Sequence, residues 1–434
     1  MPVDQLHTIV SDAEAGKPDA QFRLSQVCHQ NGDFDKMVHW LKQASASQHP
    51  DAMGVLGQCY EHGQSVSQDL AKALDQYSNA VAAGAKMPAF QKAQLLYKAS
   101  IGPDQKETIR QLLREAAQAD VVPALRTIGY LALQHSSSAQ LALDCLRRAA
   151  TLGDTVSMFN LGWLLMQRQN YQDLLGESKH WLQQAAAANY PYAMSLLESN
   201  TAAASAPKVS HSNDIQFAAP FGLFPDDPEA VSKEISADPE IVLYQDVLNV
   251  VDCAYLMFVS GPHLQRASVI NPQGDQQGMV SNVRTSMSTY IPFELVDIMS
   301  RYIELKIVLA AGEELDFSEP MSILRYAQGE YYRPHFDFFN PNLDAAELLL
   351  EDGGQRVASA VTYLSAPLVG GGTSFPNVNV TVPAQQCSSL WFRNCSRNGE
   401  IDPRSLHAGD TVHVGEKWVV TKWFREKPTS YLKL

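Results

Sequence analysis

The sequence predicts a multidomain protein, an all-α repeat solenoid followed by a β-rich domain with supporting helices. Three observations predict it. The first half repeats a two-helix pattern at a period of about 35 residues, which fits stacked helix pairs. The second half is rich in short apolar runs of strand length separated by turn residues. Between them, residues 200–213 (NTAAASAPKVSHSN) are small, polar and without periodicity, as a linker is. The expected boundaries are therefore 1–199 for the repeat array, 200–213 for the linker and 214–434 for the β-rich domain.

The repeats align at Ala20, Ala52, Ala89, Ala124 and Ser157. Each has an apolar-periodic helix, a short polar turn and a second helix with an Ala-rich end. One helix pair cannot bury its apolar stripe alone, so such units stack. Small residues stand where helices must approach closely, at Gly57, Gly129 and Gly162. The aromatics Trp40, Tyr60, Tyr77, Tyr130, Trp163 and Trp181 recur at helical positions and read mostly as inter-repeat core. The array resembles the Sel-one-like subfamily of tetratricopeptide repeats, most closely in the second and fifth copies. The third and fourth lack the longer glycine-containing turn. The resemblance implies a surface for a peptide or partner protein, with a scaffold or dimerisation device as the alternative.

Composition narrows the partners. A net charge of −14 argues against nucleic acid and an anionic membrane, and suits a basic protein substrate. The six cysteines are scattered without CxxC pairs and read as buried free thiols of a reducing compartment. The N-terminal residues carry no basic and apolar leader pattern, and no apolar run is long enough to span a bilayer. The expected location is cytoplasmic.

In the second half, residues 241–248 alternate as a strand. Asn249 then caps a helix over 250–259, with Asp252 closing a capping box. Residues 268–278 form a turn-rich connector, and 293–311 carry a long helical period. Strands are expected over 321–326 and 331–338. An acidic loop over 340–354 follows, either a lid or a passive insertion. Residues 357–364, 373–382, 388–392 and 411–423 complete the strand set, with Gly370-Gly371-Gly372 as a flexible turn.

The chemistry concentrates in residues 325–339, RYAQGEYYRPHFDFF. Side chains two apart on a strand share a face, so His335 and Asp337 point into one cavity while Phe336 and Phe338 point away. His407, in Ser405-Leu406-His407-Ala408-Gly409, would complete a 2-His-1-carboxylate triad, the donor set of a non-haem Fe(II) oxygenase. Its three open positions suit a bidentate 2-oxo acid and dioxygen. A second carboxylate on that acid needs a cation, and Lys417, beside Trp418 and Val419, is unusually placed for a solvated lysine. A snorkelling lysine on a strand edge is the plain alternative. His413 and His211 are assigned no metal role.

Residues 239–426 then resemble the catalytic domain of prolyl 4-hydroxylases, Fe(II)- and 2-oxoglutarate-dependent dioxygenases on a double-stranded β-helix (jelly roll). The matching blocks are Asn282-Val283-Arg284-Thr285-Ser286, RYAQGEYYRPHFDFF, Gln355-Arg356-Val357 through Tyr363-Leu364-Ser365, Gly370-Gly371-Gly372-Thr373-Ser374-Phe375-Pro376, and SLHAG with GEKW, in the family's order. The resemblance implies that His335, Asp337 and His407 hold Fe(II). It implies that Lys417 binds the distal carboxylate of 2-oxoglutarate and that Tyr326 donates a hydroxyl to the same co-substrate. It places Arg356 and Trp423 at the peptide pocket, and it implies O2 as co-substrate, ascorbate as accessory reductant and a proline-containing protein or peptide as acceptor. The sequence departs from the family at Gly372, where Glu is usual, at Asp410, where Cys is common, and at Cys387, near a usual Gly. Three other readings compete. One is a protein-binding scaffold with a vestigial dioxygenase domain. A second is a zinc hydrolase on the same triad, which leaves Lys417 unexplained and lacks an evident base. The third is a dioxygenase acting on a free amino acid or a non-prolyl residue.

Overall fold

The computed structural model describes all residues except 1–2, 99–102, 168–171, 206, 209–210, 227–230, 270–278, 281–282, 292–295, 342–345 and 433–434. Asn282 and most of the connector over 268–278 fall outside the described residues. The chain divides into two compact units, Met1–Ser157 with Lys208–Leu223, and Met158–Pro207 with Phe224–Lys433.

The first unit is helical. After Val3–Glu14 come the pairs Pro18–Gln30 and Phe34–Ala46, Pro50–His62 and Leu70–Ala82, Met87–Lys98 and Pro103–Gln118, and Val122–Leu133 and Ala139–Thr151. These are the first four predicted repeats. Close approach explains the small residues. A Cβ on Gly57 would stand 2.6 Å from the Tyr77 ring, and one on Gly129 would stand 2.8 Å from Leu146. Tyr77 and Tyr130 are fully buried, as inter-repeat core requires. A buried charge set adds to the packing, because Glu61 accepts from the Tyr77 hydroxyl at 2.7 Å and from Lys98 Nζ at 3.0 Å. Residues 217–223 lie along these helices. Tyr97 Oη donates to Leu223 O at 2.6 Å, Ser138 Oγ to Pro220 O at 2.6 Å and Arg114 Nε to Phe217 O at 2.9 Å.

The second unit begins in the fifth repeat, Thr155–Gln167 and Gln172–Ala187, followed by Ala193–Ser199. The residues after it are pinned rather than free-standing. Asn200 is buried and donates to Leu175 O at 3.0 Å, and Ser205 N donates to Gly176 O at 3.0 Å. This repeat packs on the β-rich part of its own unit. Tyr192 Oη donates to Leu364 O at 2.5 Å, and the Tyr190 and Phe258 rings lie 4.8 Å apart.

Among the described residues sixteen strands follow: β1 (Ser232–Ala237), β2 (Glu240–Tyr244), β3 (Gln265–Arg266), β4 (Ser268–Val269), β5 (Met279–Val280), β6 (Met287–Tyr290), β7 (Ser322–Tyr326), β8 (Tyr332–His335), β9 (Arg356–Ser365), β10 (Val369–Gly370), β11 (Thr373–Phe375), β12 (Val380–Val382), β13 (Ser389–Arg393), β14 (His407–Gly409), β15 (Val412–Val414) and β16 (Lys417–Arg425). An eight-stranded sheet runs β1-β2-β13-β9-β16-β7-β6-β3, and a four-stranded sheet runs β12-β11-β14-β8. Their pairings are antiparallel. Leu324, Tyr363, Leu390 and Val419 of the large sheet share one buried cluster with Phe375 and Val382 of the small one, which makes the jelly-roll core.

The helix Val250–Ser260 has the predicted Asn249–Asp252 capping box. Of the expected helix over 293–311, residues 293–295 lie outside the described residues, and the described helix is Ile298–Ala310, with an Asp297–Ser300 capping box at its start. The expected strand over 331–338 ends at His335, and Asp337 lies in the bend beyond it. Pro334 is tolerated in β8 because β8 is the edge of the small sheet. The expected strand over 373–382 is interrupted by a turn at Pro376–Val378, and that over 411–423 is broken at Gly415. In the acidic loop over 340–354, residues 342–345 lie outside the described residues, and Ala346–Glu351 is a short helix. Arg425 donates to Leu349 O at 2.8 Å and to Gly354 O at 2.6 Å, tying that segment to β16.

Candidate active site

Antiparallel pairing brings the two histidines together. His335 on β8 and His407 on β14 are direct register partners, and the bend after β8 turns Asp337 toward them. One donor atom from each of the three lies within 4.8 Å of the others. Asp337 Oδ1 is 3.6 Å from His335 Nε2, and Oδ2 is 3.6 Å from His407 Nε2. These separations are too long for mutual hydrogen bonds and short enough for three donors around one cation.

Each imidazole has its other nitrogen occupied. His335 Nδ1 lies 2.9 Å from Arg333 O, and His407 Nδ1 lies 3.0 Å from Ser405 O. With Nδ1–H donating to a carbonyl, the Nε2 lone pair faces the centre of the cluster. Tyr332 stacks on the His335 ring at 3.5 Å, and Phe392 packs on His407 at 4.6 Å, fixing both ring planes. Ser359 Oγ donates to Asp337 Oδ2 at 2.7 Å and accepts from Asn394 Nδ2 at 2.9 Å. Phe336 is exposed and stacks on Phe338, on the other side of the chain, as expected.

The electrostatics match this donor set. Burial, reinforced by His407, drives the His335 pKa down to about 3, so the ring is neutral at pH 7. Burial pushes Asp337 upward, but His407, His335, Arg356 and the Ser359 hydroxyl outweigh it and hold it at about 2. An ionised carboxylate and a neutral imidazole whose Nδ1 is already satisfied are what a divalent cation requires of its ligands. The residues therefore fit Fe(II).

The large sheet supplies the opposite wall. Lys417 and Tyr326 are register partners on β16 and β7, and Lys417 Nζ lies 4.7 Å from the centre of the Tyr326 ring. Lys417 is 2 % exposed, and among the described residues no carboxylate lies within 4.0 Å of its Nζ. Burial lowers its pKa to about 8, against the opposing pull of Asp410. At pH 7 this is a buried cation without an ion pair, facing the cavity that holds the triad. Tyr326 is buried beside it, its pKa raised by burial against the neighbouring Arg284 and Ser286.

Arg356 and Trp423 form one group. Arg356 is held by Glu319 through two contacts of 2.6 Å, stacks 4.0 Å from the Trp423 ring and lies 3.5 Å from the Asp337 carbonyl. Trp423 lines the cavity, and its buried Nε1–H has no partner among the described residues. His413 and His211 are exposed, and neither belongs to the triad.

Sequence reasoning missed Ser359, Asn394, Glu319 and the role of Arg284, whose guanidinium lies 5.0 Å over Tyr332 in the same cavity. A serine inside the apolar run of β9 was the available signal for Ser359. The departures at Gly372 and Asp410 occupy one place. A Cβ on Gly372 would meet Asp410 Oδ2 at 3.3 Å and Val382 O at 2.8 Å, while Asp410 Oδ1 accepts from Ser374 Oγ at 2.7 Å.

Both halves of the chain match known families. The family model of the 2OG-Fe(II) oxygenase superfamily matches residues 321–425, and the Sel1 repeat model matches 18–49, 50–84, 133–154 and 155–190. The chain is 31% identical over 210 residues to prolyl 4-hydroxylase 1 of Arabidopsis thaliana, covering 45% of this chain and 72% of that protein. It is 34% identical over 203 residues to prolyl 4-hydroxylase subunit alpha-3 of Homo sapiens, covering 46% and 36%. Among solved structures, a viral collagen prolyl hydroxylase from Paramecium Bursaria Chlorella virus-1 aligns with a TM-score of 0.33 at 21% identity, covering 43% of this chain and 95% of that one. A Sel1 repeat protein from Oxalobacter formigenes aligns with a TM-score of 0.39 at 17% identity, covering 46% and 89%.

Proposed function

The chain belongs to the prolyl 4-hydroxylase family of 2OG-Fe(II) oxygenases, and from that premise we propose that it hydroxylates a prolyl residue of a protein or peptide. Fe(II), 2-oxoglutarate and O2 supply the oxidising chemistry, releasing succinate and CO2. The chain's own residues do the rest. His335, Asp337 and His407 would hold the metal, with Ser359 orienting Asp337. Lys417 would pair with the distal carboxylate of 2-oxoglutarate, and the Tyr326 hydroxyl would donate to the same co-substrate. Trp423 presents an unpartnered Nε1–H to the acceptor peptide, with Arg356 locked behind it by Glu319. Ascorbate serves as accessory reductant.

The observation that carries this reading is the buried Lys417 without an ion pair, in the same cavity as the His335, Asp337 and His407 triad. A charged lysine in that setting requires an anionic ligand, and 2-oxoglutarate is one. A zinc hydrolase has no use for it. Among the described residues no helix is long and apolar enough to cross a membrane. The cytoplasmic location remains part of the proposal, as does recruitment of a protein substrate by the repeats, divided as array 1–199, linker 200–213 and catalytic domain 214–434. The test is succinate formation by the full chain with Fe(II), ascorbate and 2-oxoglutarate, with and without proline-containing peptides. Stimulation together with one added oxygen on proline supports the reading. Stimulation only by a free amino acid or a proline-free peptide would replace the acceptor, and no 2-oxoglutarate consumption would leave a binding scaffold.

A further inference from the structure

The six cysteines are free thiols, and two of them are in contact although 134 positions separate them. Cys253 Sγ and Cys387 Sγ lie 3.8 Å apart. Among the described residues no other pair of thiols is this close. Cys253 is fully buried on the helix Val250–Ser260. Cys387 is partly exposed, in the turn before β13, and its backbone adopts φ +68°. A residue other than glycine is uncommon in that conformation and persists when its surroundings hold it there. Here Cys387 N donates to Tyr363 O at 2.9 Å, and its carbonyl accepts from Leu248 N at 3.1 Å.

We propose that Cys253 and Cys387 are a peroxide-sensitive dithiol that closes to a disulfide, reopens under a thiol reductant, and in closing disturbs the strand beside Lys417. Accessibility assigns the order of events. The Cys387 sulfur attacks hydrogen peroxide, so that an S–O bond forms, the O–O bond breaks and water leaves. The Cys253 sulfur then attacks the Cys387 sulfur. The S–S bond forms, the S–O bond breaks, and the departing hydroxide leaves as water with the Cys253 proton. Two thiols and one peroxide thus give one disulfide and two waters. A thiol reductant reverses the link by exchange.

Closing requires the sulfurs to approach from 3.8 Å to about 2.05 Å. The helix is the stiffer partner, so the turn moves. Its neighbour Gln386 donates to Leu364 O at 3.3 Å, the same carbonyl that accepts the Tyr192 hydroxyl. The next residue, Ser365, accepts from Trp418 N at 2.9 Å, and Trp418 adjoins Lys417. The expected consequence is a several-fold rise in the KM for 2-oxoglutarate. This consequence rests on the co-substrate role of Lys417, whereas the cross-link does not.

The experiment treats the full-length protein with hydrogen peroxide, removes the peroxide with catalase, alkylates in denaturant and maps the peptides. A Cys253–Cys387 linked peptide that disappears under reductant is expected, with Cys28, Cys59, Cys145 and Cys395 recovered as thiols. In Cys253→Ala, Cys387 should accumulate as a dimedone-trapped sulfenic acid. In Cys387→Gly, a residue suited to positive φ, Cys253 should remain a thiol. Failure of the wild-type link, with Cys387 passing to sulfinic acid, overturns the proposal, as does a sulfenic acid on Cys253 in Cys387→Gly. With fresh Fe(II), the KM for 2-oxoglutarate should rise on oxidation, recover on reduction and stay level in Cys387→Gly. A link that forms while KM is unmoved overturns the coupling to Lys417. A linked protein that never consumes 2-oxoglutarate would sink the catalytic reading and leave the dithiol standing.

Discussion

At the scale of single residues, each donor of the triad has its own support, and substitutions should separate ligand from support. Replacing His335, Asp337 or His407 with Ala is expected to abolish succinate formation, and turnover by any one of these variants would remove that residue from the metal set. Ser359→Ala leaves all three donors but removes the 2.7 Å contact that orients Asp337. Metal affinity should fall by about 10- to 100-fold, as for other residues behind a ligand, with activity recovering at high Fe(II). Lys417→Ala removes a charge-assisted contact worth about 1.5–3 kcal/mol, or roughly a 10- to 150-fold loss of 2-oxoglutarate affinity with metal binding intact. The pH dependence follows from the same group. Burial lowers Lys417 from an ordinary value of 10.5 to about 8, so it is charged below pH 8 and loses its proton above it. Affinity for 2-oxoglutarate should hold up to pH 8 and then weaken by about tenfold per unit. An ordinary lysine would hold its affinity beyond pH 10. Titrating the 2-oxoglutarate KM between pH 7 and 9.5 distinguishes the two.

At the scale of elements, the sequence shows local periodicity well and cross-strand register poorly. The Asn249 capping box, the five helix pairs and the small residues at close approaches were legible because each depends on residues near in sequence. His335 and His407 could be named as partners, but their direct pairing across β8 and β14 depends on a register that no local pattern encodes. Glu319 was invisible for the same reason, since it matters only through Arg356 and Arg425 on two other strands. The thiol contact shows the same limit, because 134 residues separate cysteines that read as scattered. A local feature supports a clean test. Gly57→Val places atoms where the Tyr77 ring already lies, 2.6 Å from the new Cβ. Overpacking of this kind costs about 1–3 kcal/mol. The thermal transition of the helical unit should move down while turnover of short proline peptides is kept. Simultaneous loss of both would mean that the repeats and the catalytic sheets unfold together.

At the scale of the whole molecule, the question is where the chain can be cut. Composition suggests a cut after residue 199, but contacts favour one after Ser157. The fifth repeat belongs to the same compact unit as the β-sheets, and Tyr192 caps the Leu364 carbonyl while Tyr190 packs on Phe258. Removing residues 1–199 strips these aromatics from β9 and from the helix Val250–Ser260, exposing apolar surface that the sheets themselves do not cover. Removing residues 1–157 keeps both contacts. The segment Lys208–Leu223 then loses its helical support, and Phe217 and Phe221, both buried in the intact chain, become exposed. Substituting those two with Ser in the shorter deletion corrects for this. The expected result is a soluble 158–434 protein that turns over short proline peptides at close to the full-length rate, and a 200–434 protein that precipitates or loses turnover. If the first four repeats recruit a folded acceptor, the 158–434 protein should also show a rise in apparent KM for that acceptor of about tenfold or more, by the effective-concentration argument for linked sites. Its kcat should change little. Equal kinetics on the intact acceptor would reduce the first four repeats to a scaffold, and an active, soluble 200–434 protein would return the boundary to residue 199.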